Sequence, residues 1–276
     1  MTDAASPIAN PPAATRARWA RWLPAGALAA LVSLAGWLAL WQLASAFQLV
    51  PPLFLPPPGA VLDKFVSVAR DGFVDATLLQ HALASLGRVG MALLAALVTA
   101  IPVGLATASS PVIRGAFDPL IEIYRPIPPL AYLPLVVIWF GIGEVSKILL
   151  IYLAMFAPIA LATAAGVRGV AQDRIDAARS MGASRAQVLR LVVLPSALPD
   201  ILVGIRIGLG AGWSTLVAAE LVAATRGIGF MIQSASQFLV TDIVVMGIFV
   251  IAAIAFAFEL VIRSLERALM PWRGKA

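Results

Sequence analysis

The side chains with chemistry to offer gather in one stretch. Between two apolar blocks, Arg168, Asp173, Arg174, Asp176, Arg179, Arg185 and Arg190 make the most charged segment of the chain. Mixed charges at this density suit pairing with acids and bases on a partner rather than bond-making. Residues for covalent or metal chemistry are scarce. The 276 residues contain no Cys and one His, His81, which excludes disulfide frameworks, thiolate metal sites and Cys nucleophiles and leaves no His cluster or dyad. The three lysines, Lys64, Lys147 and Lys275, stand outside any Gly-x4-Gly-Lys-Ser/Thr frame, in which backbone amides and a lysine cradle phosphate.

The charged segment reads as two short helices meeting at Gly182. The first, Asp173–Met181, carries acids in its first turn, where the helix dipole favours them. Gly182 takes a positive φ and ends it. Ser184 caps the second helix, which carries Val188, Leu191 and Val192 on one face, and Pro195 stops it. A basic helix-turn-helix also suggests DNA reading, but a loop pinned at both ends to a bilayer cannot wrap a duplex, and no Lys- or Arg-rich run occurs.

The bilayer follows from composition. The chain is 61% hydrophobic and 12% charged, against about 45–50% apolar and about 25% charged for soluble domains. That leaves too little polar surface to coat a globule, so an ordinary cytosolic enzyme and a disordered chain are excluded. A spanning helix takes about 20 apolar residues. Uncharged intervals give six: Ala25–Phe47, Val89–Ala108, the interval Arg125–Glu144 with four prolines, Lys147–Arg168, Leu198–Ala219, and Asp242–Ile262. The first exceeds a signal-peptide h-region of about 7–15 residues, so it reads as an uncleaved anchor. Six spans put both termini on one side. Placing them inside puts 14 Arg and Lys on inner segments and 5 on outer ones, with Arg206 within a span, as the positive-inside rule requires. The outer stretch after Phe47 opens with Pro51-Pro52 and Pro56-Pro57-Pro58, extended rather than helical. A short amphipathic helix follows, bearing Val61, Leu62, Phe65, Val66, Val68 and Ala69. His81 reads as a polar residue at a helix end.

Several residues in the spans bear on a passage through them. Pro126, Pro128, Pro129 and Pro134 break the third span, either as a packed kink or as backbone lining a wet cavity. Trp139 and Phe140 at its outer end fit either a gate or an aromatic belt. Arg206 enters the fifth span, where an ionisable group suggests function but is also within snorkelling reach of the inner surface. Glu220 ends that span, facing water, and no acid is evident opposite Arg206. Gly204, Gly208, Gly210 and Gly212 make a smooth face that either meets a second copy or borders a passage with Trp213, Ser214 and Thr215.

The loop carries a resemblance. Asp176-Ala177-Ala178, then Gly182, Val192 and Leu194-Pro195 resemble the EAA loop of binding-protein-dependent ABC importer permeases: Glu-Ala-Ala, three residues, Gly, nine residues, Ile, one residue, Leu-Pro. Asp for Glu and Val for Ile are the departures. The resemblance runs from about Leu53 to Trp272. Tyr124-Arg125-Pro126-Ile127-Pro128-Pro129-Leu130-Ala131-Tyr132-Leu133-Pro134-Leu135, Ile138-Trp139-Phe140-Gly141-Ile142-Gly143-Glu144, and Val217-Ala218-Ala219-Glu220 with Gly227-Ile228-Gly229-Phe230 look like the aliphatic sulfonate, nitrate and taurine permease group. The stretches Ser146–Ala154 and Gly212–Leu216 are most similar to its taurine permeases.

What this resemblance implies is an all-α integral membrane protein with six transmembrane helices, the type I importer permease (MetI-like) fold, and a cytoplasmic coupling loop docked on an ATPase. The implied organisation is a cytoplasmic tail over 1–24, a first transmembrane helix over 25–47, a periplasmic segment over 48–86, a permease core over 87–262 with its coupling loop at 168–195, and a cytoplasmic tail over 263–276. The implied partners are an ABC ATPase dimer that binds the ATP, a periplasmic solute-binding protein, a second copy of the chain and membrane lipid, in the bacterial inner membrane. No cofactor, metal or nucleic acid is expected on the chain, and no enzyme activity. Coupling would rest on Asp176, Ala177, Ala178, Gly182, Val192, Leu194 and Pro195. The passage would be lined by Pro128, Pro129, Pro134, Trp139, Arg206, Trp213, Ser214, Thr215 and Glu220. The cargo would be taurine or a related small sulfonate. Permeases for alkanesulfonate or for nitrate and bicarbonate are the alternatives. A secondary transporter or channel would normally carry coupling acids in mid-span, and the docking loop would have no role in it.

Overall fold

A computed structural model describes residues 22–270. The tail arginines Arg16, Arg18, Arg21 and Arg273, with Lys275, lie outside the described residues. The chain divides into two compact units, one ending at Ala60 and the other beginning at Val61. The first unit contains helix α1, Trp22–Ala46, a uniformly apolar helix whose Trp41 indole donates to Pro56 O at 3.0 Å. Helix α2, Pro58–Arg70, begins at a proline, suited to a first turn that needs no amide donor.

The second unit is built on three long helices. Helix α3 is Leu78–Ser109, α6 is Glu144–Arg168 and α9 is Leu194–Ala223. Helix α6 lies between the other two, and small residues let the backbones close up. A Cβ on Gly104 would sit 2.5 Å from Ala160 O, one on Gly204 2.5 Å from Ala162 Cβ, and one on Gly208 3.2 Å from Met155 O. The glycine face of α9 is therefore spent on α6 of the same chain, not on a second copy; only Gly210 opens to space. Small side chains at four-residue spacing are what allow such approach where lipid supplies no hydrophobic drive. Val89, Ala92, Ala96, Ala100, Ile151, Met155 and Ile159 fill the seam. Helix α11, Thr241–Leu269, packs with α10, Ile228–Gln237, and along α9.

Three expectations change. First, the interval Arg125–Glu144 is not one straight span. Helix α4, Pro111–Tyr124, is followed by a 3-10 turn, Pro129–Tyr132, and the eight-residue α5, Leu133–Phe140. Eight residues rise about 12 Å, too little for a core of about 30 Å. Only α4 joined to Pro129–Phe140, across a 91° bend, passes as a sixth span beside five continuous ones. Pro126, Pro128 and Pro129 withhold amide donors at the bend.

Second, α3 starts at Leu78, well before the charge at Arg88. Thr77 and Gln80 form a reciprocal capping box that starts it, and Arg88 is admitted because it is paired.

Third, Pro195 does not stop the loop's second helix. Helix α8, Arg185–Val188, runs through a π turn, Leu189–Val193, directly into α9. Leu194 N–H reaches back five residues to Leu189 O, and this re-registered turn accommodates the missing donor. It also rotates the apolar face. Val188 and Val193 are buried, whereas Leu191 is 68% exposed.

Candidate functional site

The loop between α6 and α9 is held by its own small core. Helix α7, Gln172–Ser180, has Asp173 in its first turn. It ends in a Schellman arrangement: Ala183 N–H donates to Ala178 O at 3.1 Å and Gly182 N–H to Arg179 O at 2.9 Å. Gly182 has φ +85°, the left-handed conformation that glycine adopts without strain. No atom of the chain crowds its missing Cβ. Ser184 and Gln187 close a capping box on α8. Ala178, Val188 and Val193 pack together, with Val192 against them.

Ile175 and Ala183 also pack on this core, and the polar side chains face out. Asp176 accepts from Gln172 Nε2 at 3.0 Å and stands 3.7 Å from Arg179. Ala177 is exposed, and Met181 is 83% exposed at the tip. Leu194 and Pro195 are half-buried where α9 begins. A rigid bend thus presents Ala177 and Met181, flanked by Asp176 and Arg179, an apolar centre in a charged rim such as protein interfaces use.

The residues assigned to a passage fall into five places. Pro129, Ser214 and Thr215 meet in one cavity of about 320 Å³ under the broken segment, with Tyr124, Tyr132 and Pro158 around them. Ser214 and Thr215 hydroxyls donate to Gly210 O and Ala211 O, leaving acceptor lone pairs to the cavity. Pro128 and Pro134 are exposed. Trp139 is 66% exposed at the end of α5. Trp213 and Arg206 instead face α11: the indole meets Phe258 edge-on, and Arg206 pairs with Glu259 and Glu266, each at 3.2 Å. Acids therefore do stand opposite Arg206. They were invisible in the sequence because they belong to another helix, Glu266 lying 60 residues further along the chain.

Glu220 does not face water. It is fully buried at the far end of α9, inside a network that the sequence reading missed. Arg88 donates bidentately to Glu144 at 2.6 and 2.8 Å, and through Nη1 to Glu220 at 2.6 Å and Arg226 O at 2.8 Å. Lys147 donates to Glu144 at 2.9 Å. Ser85 donates to Glu220 at 2.8 Å, and Gly229 N–H donates to it at 2.8 Å. His81, also fully buried, accepts from Gly227 N–H at Nδ1, 3.1 Å, and donates from Nε2 to Phe73 O, 2.9 Å. The network joins the starts of α3, α6 and α10 to the end of α9. The charged loop sits at the opposite ends of α6 and α9, and the 25 residues of α6 put about 37 Å between the two.

This arrangement holds no constellation for bond-making. Arg88, Glu144 and Glu220 saturate one another, and the described residues contain no group of three or more His, Cys, Asp or Glu able to hold a metal. What it can do is brace one end of a helix bundle while a rigid loop protrudes from the other.

The family of binding-protein-dependent transport system inner membrane components matches residues 100–271. The taurine transport system permease protein TauC of Escherichia coli is 60% identical over 94% of this chain and 95% of that protein. A putative aliphatic sulfonates transport permease protein, SsuC of Bacillus subtilis, is 35% identical over 86% and 84%. The bicarbonate transport system permease protein CmpB of Synechocystis is 30% identical over 86% of each. Among solved structures, an inward-facing conformation of the MetNI methionine ABC transporter superposes with TM-score 0.57 at 21% identity, covering 68% of this chain and 95% of that one. That likeness concerns the fold.

Proposed function

The chain belongs to the family of binding-protein-dependent transport system inner membrane components, transport subunits rather than enzymes, and on that premise we propose that it is the permease of an ATP-driven taurine importer. The observation that carries the cargo is the 60% identity to the taurine permease protein over 94% of the chain, against 35% and 30% for the sulfonate and bicarbonate relatives.

In this reading two copies of the chain span the inner membrane with both termini in the cytoplasm. Each offers the loop at 168–195 to one subunit of an ATPase dimer, which binds the ATP; the chain itself needs no cofactor. Asp176, Ala177 and Gly182 meet the ATPase, Ala178 holds the loop's own core, and Val192, Leu194 and Pro195 join the loop to α9. Two features support this division: the Schellman bend fixes the loop's shape, and the continuous helix from Arg185 makes any tilt of the loop a tilt of α9.

Solute delivered by a periplasmic binding protein passes the cavity bounded by Pro129, Ser214 and Thr215. Taurine carries a sulfonate and an ammonium, and a dry site would need partners for both, since an unpaired buried charge costs several kcal/mol. Hydroxyls and backbone carbonyls suit a wet, weakly binding passage, with selection residing in the binding protein. The test is direct binding of labelled taurine to the purified permease–ATPase complex without the binding protein. Weak, non-saturating binding agrees with the proposal. Saturable micromolar binding abolished by Ser214→Ala or Thr215→Val overturns the weak-passage part.

A further inference from the structure

A second cavity lies between α9 and α11, away from the one beneath the proline-broken segment. It is about 270 Å³, with Leu209, Trp213, Ala255, Phe258 and Ile262 as its apolar wall and Arg206 and Glu259 at one end. At that end it shares Arg206 with a polar cleft of about 370 Å³ that adds Val203, Glu266, Arg267 and Met270. The order along the groove is fixed by the two helices. Arg267 and Glu266 come first, near the end of α11, then Arg206 and Glu259, and then only apolar groups up to Trp213.

Two details call for an occupant. Trp213 is 91% buried by its 9% residual exposure, yet its indole Nε1–H has no hydrogen-bond partner. A buried donor left unmade costs about 1–3 kcal/mol. Seven residues closer to the start of α9, the buried Nε of Arg206 makes no hydrogen bond either, its 3.2 Å approach to Glu259 being ion pairing only. Arg267 is exposed and forms no ion pair among the described residues. Of the charged groups that line the groove, Arg206 and Arg267 stand against Glu259 and Glu266, a balance that suits a head carrying both signs.

We propose that this groove binds a zwitterionic aminophospholipid of the phosphatidylethanolamine type. Its phosphodiester lies against Arg206 and Arg267, the latter otherwise without an ion pair among the described residues. Its ammonium lies by Glu266. An ester carbonyl accepts from Trp213 Nε1–H, and an acyl chain covers Leu209, Phe258 and Ile262. The apolar wall is what favours lipid over a small free zwitterion, which has nothing to lay against it. The two carboxylates at headgroup level are what favour an ammonium-bearing head over a purely anionic one.

The test uses the full-length permease purified with its ATPase, stripped of lipid, then titrated with phosphatidylethanolamine or phosphatidylglycerol of matched chains and read by native mass spectrometry. Phosphatidylethanolamine retention should exceed phosphatidylglycerol retention, and Arg267→Gln, an exposed change that leaves the fold intact, should lower it about tenfold, as for one lost charged hydrogen bond. Trp213→Phe, which keeps the ring and removes the donor, should lower it several-fold. Equal retention of both lipids overturns the headgroup assignment. Retention unchanged in both variants, or displaced by free taurine, overturns the site. No retention by the wild-type chain overturns it too, and leaves the groove to a second copy.

Discussion

Arg88 Nη1 lies 2.6 Å from Glu220 Oε1, and this pair, fully enclosed, ties the start of α3 to the end of α9 across 132 positions of sequence. Removing Glu220 leaves Arg88 its bidentate pair with Glu144 but takes the acceptor from the buried Gly229 N–H and the Ser85 hydroxyl, at about 1–3 kcal/mol for a buried group left unmade. Glu220→Ala should therefore destabilise the chain by about that amount, seen as a lower melting temperature in detergent and reduced membrane yield. Glu220→Gln keeps the hydrogen bonds from Ser85 and Gly229 and should cost less. Equal melting of Glu220→Ala and wild type would show that the pair braces nothing.

The bend at Gly182 is a conformational requirement rather than a packing one. A side chain there meets no atom of this chain but must hold φ +85°, at about 1–2 kcal/mol. Gly182→Val should insert normally, because no span changes, and should lose uptake together with solute-stimulated ATP hydrolysis. Retention of both activities would remove the loop from coupling.

The glycines of α9 separate by what they touch. Gly204→Leu drives a side chain into α6, where Ala162 Cβ would lie 2.5 Å from the new Cβ, an overpacking worth about 1–3 kcal/mol or more. Gly210→Leu enters open space and should melt close to wild type. Equal losses at the two positions would contradict the α6–α9 seam.

Orientation rests on charge bias. On this Cys-free background, a single cysteine at Ser184 should react with an impermeant maleimide only after the cytoplasmic side is opened, and one at Asp75 from the periplasm of intact spheroplasts. Labelling of Ser184 from outside would invert the topology.

How far the sequence could be read followed from interaction range. The loop was legible because its signals are local: Gly182 ends a helix, Ser184 caps one, and Asp173 opens one, each within four residues of its effect. The π turn was not legible, because Pro195 reads as a stop unless the preceding ladder has already changed register. The broken segment was visible as prolines, but its 91° bend needs the walls it packs against. Arg88, Glu144 and Glu220 looked like separate charges at span ends. Their partners lie 56 and 132 positions apart, and no periodicity carries that information. Arg206 misled for the same reason.

Transport itself is the decisive readout. Proteoliposomes holding this chain and its ATPase, with ATP at the loop face and the taurine-loaded binding protein at the other, should accumulate labelled taurine only when ATP and binding protein are both present. Gly182→Val should abolish that accumulation while leaving the complex assembled. Taurine entry without ATP, or no taurine entry while an alkanesulfonate or bicarbonate accumulates under the same conditions, would contradict the account.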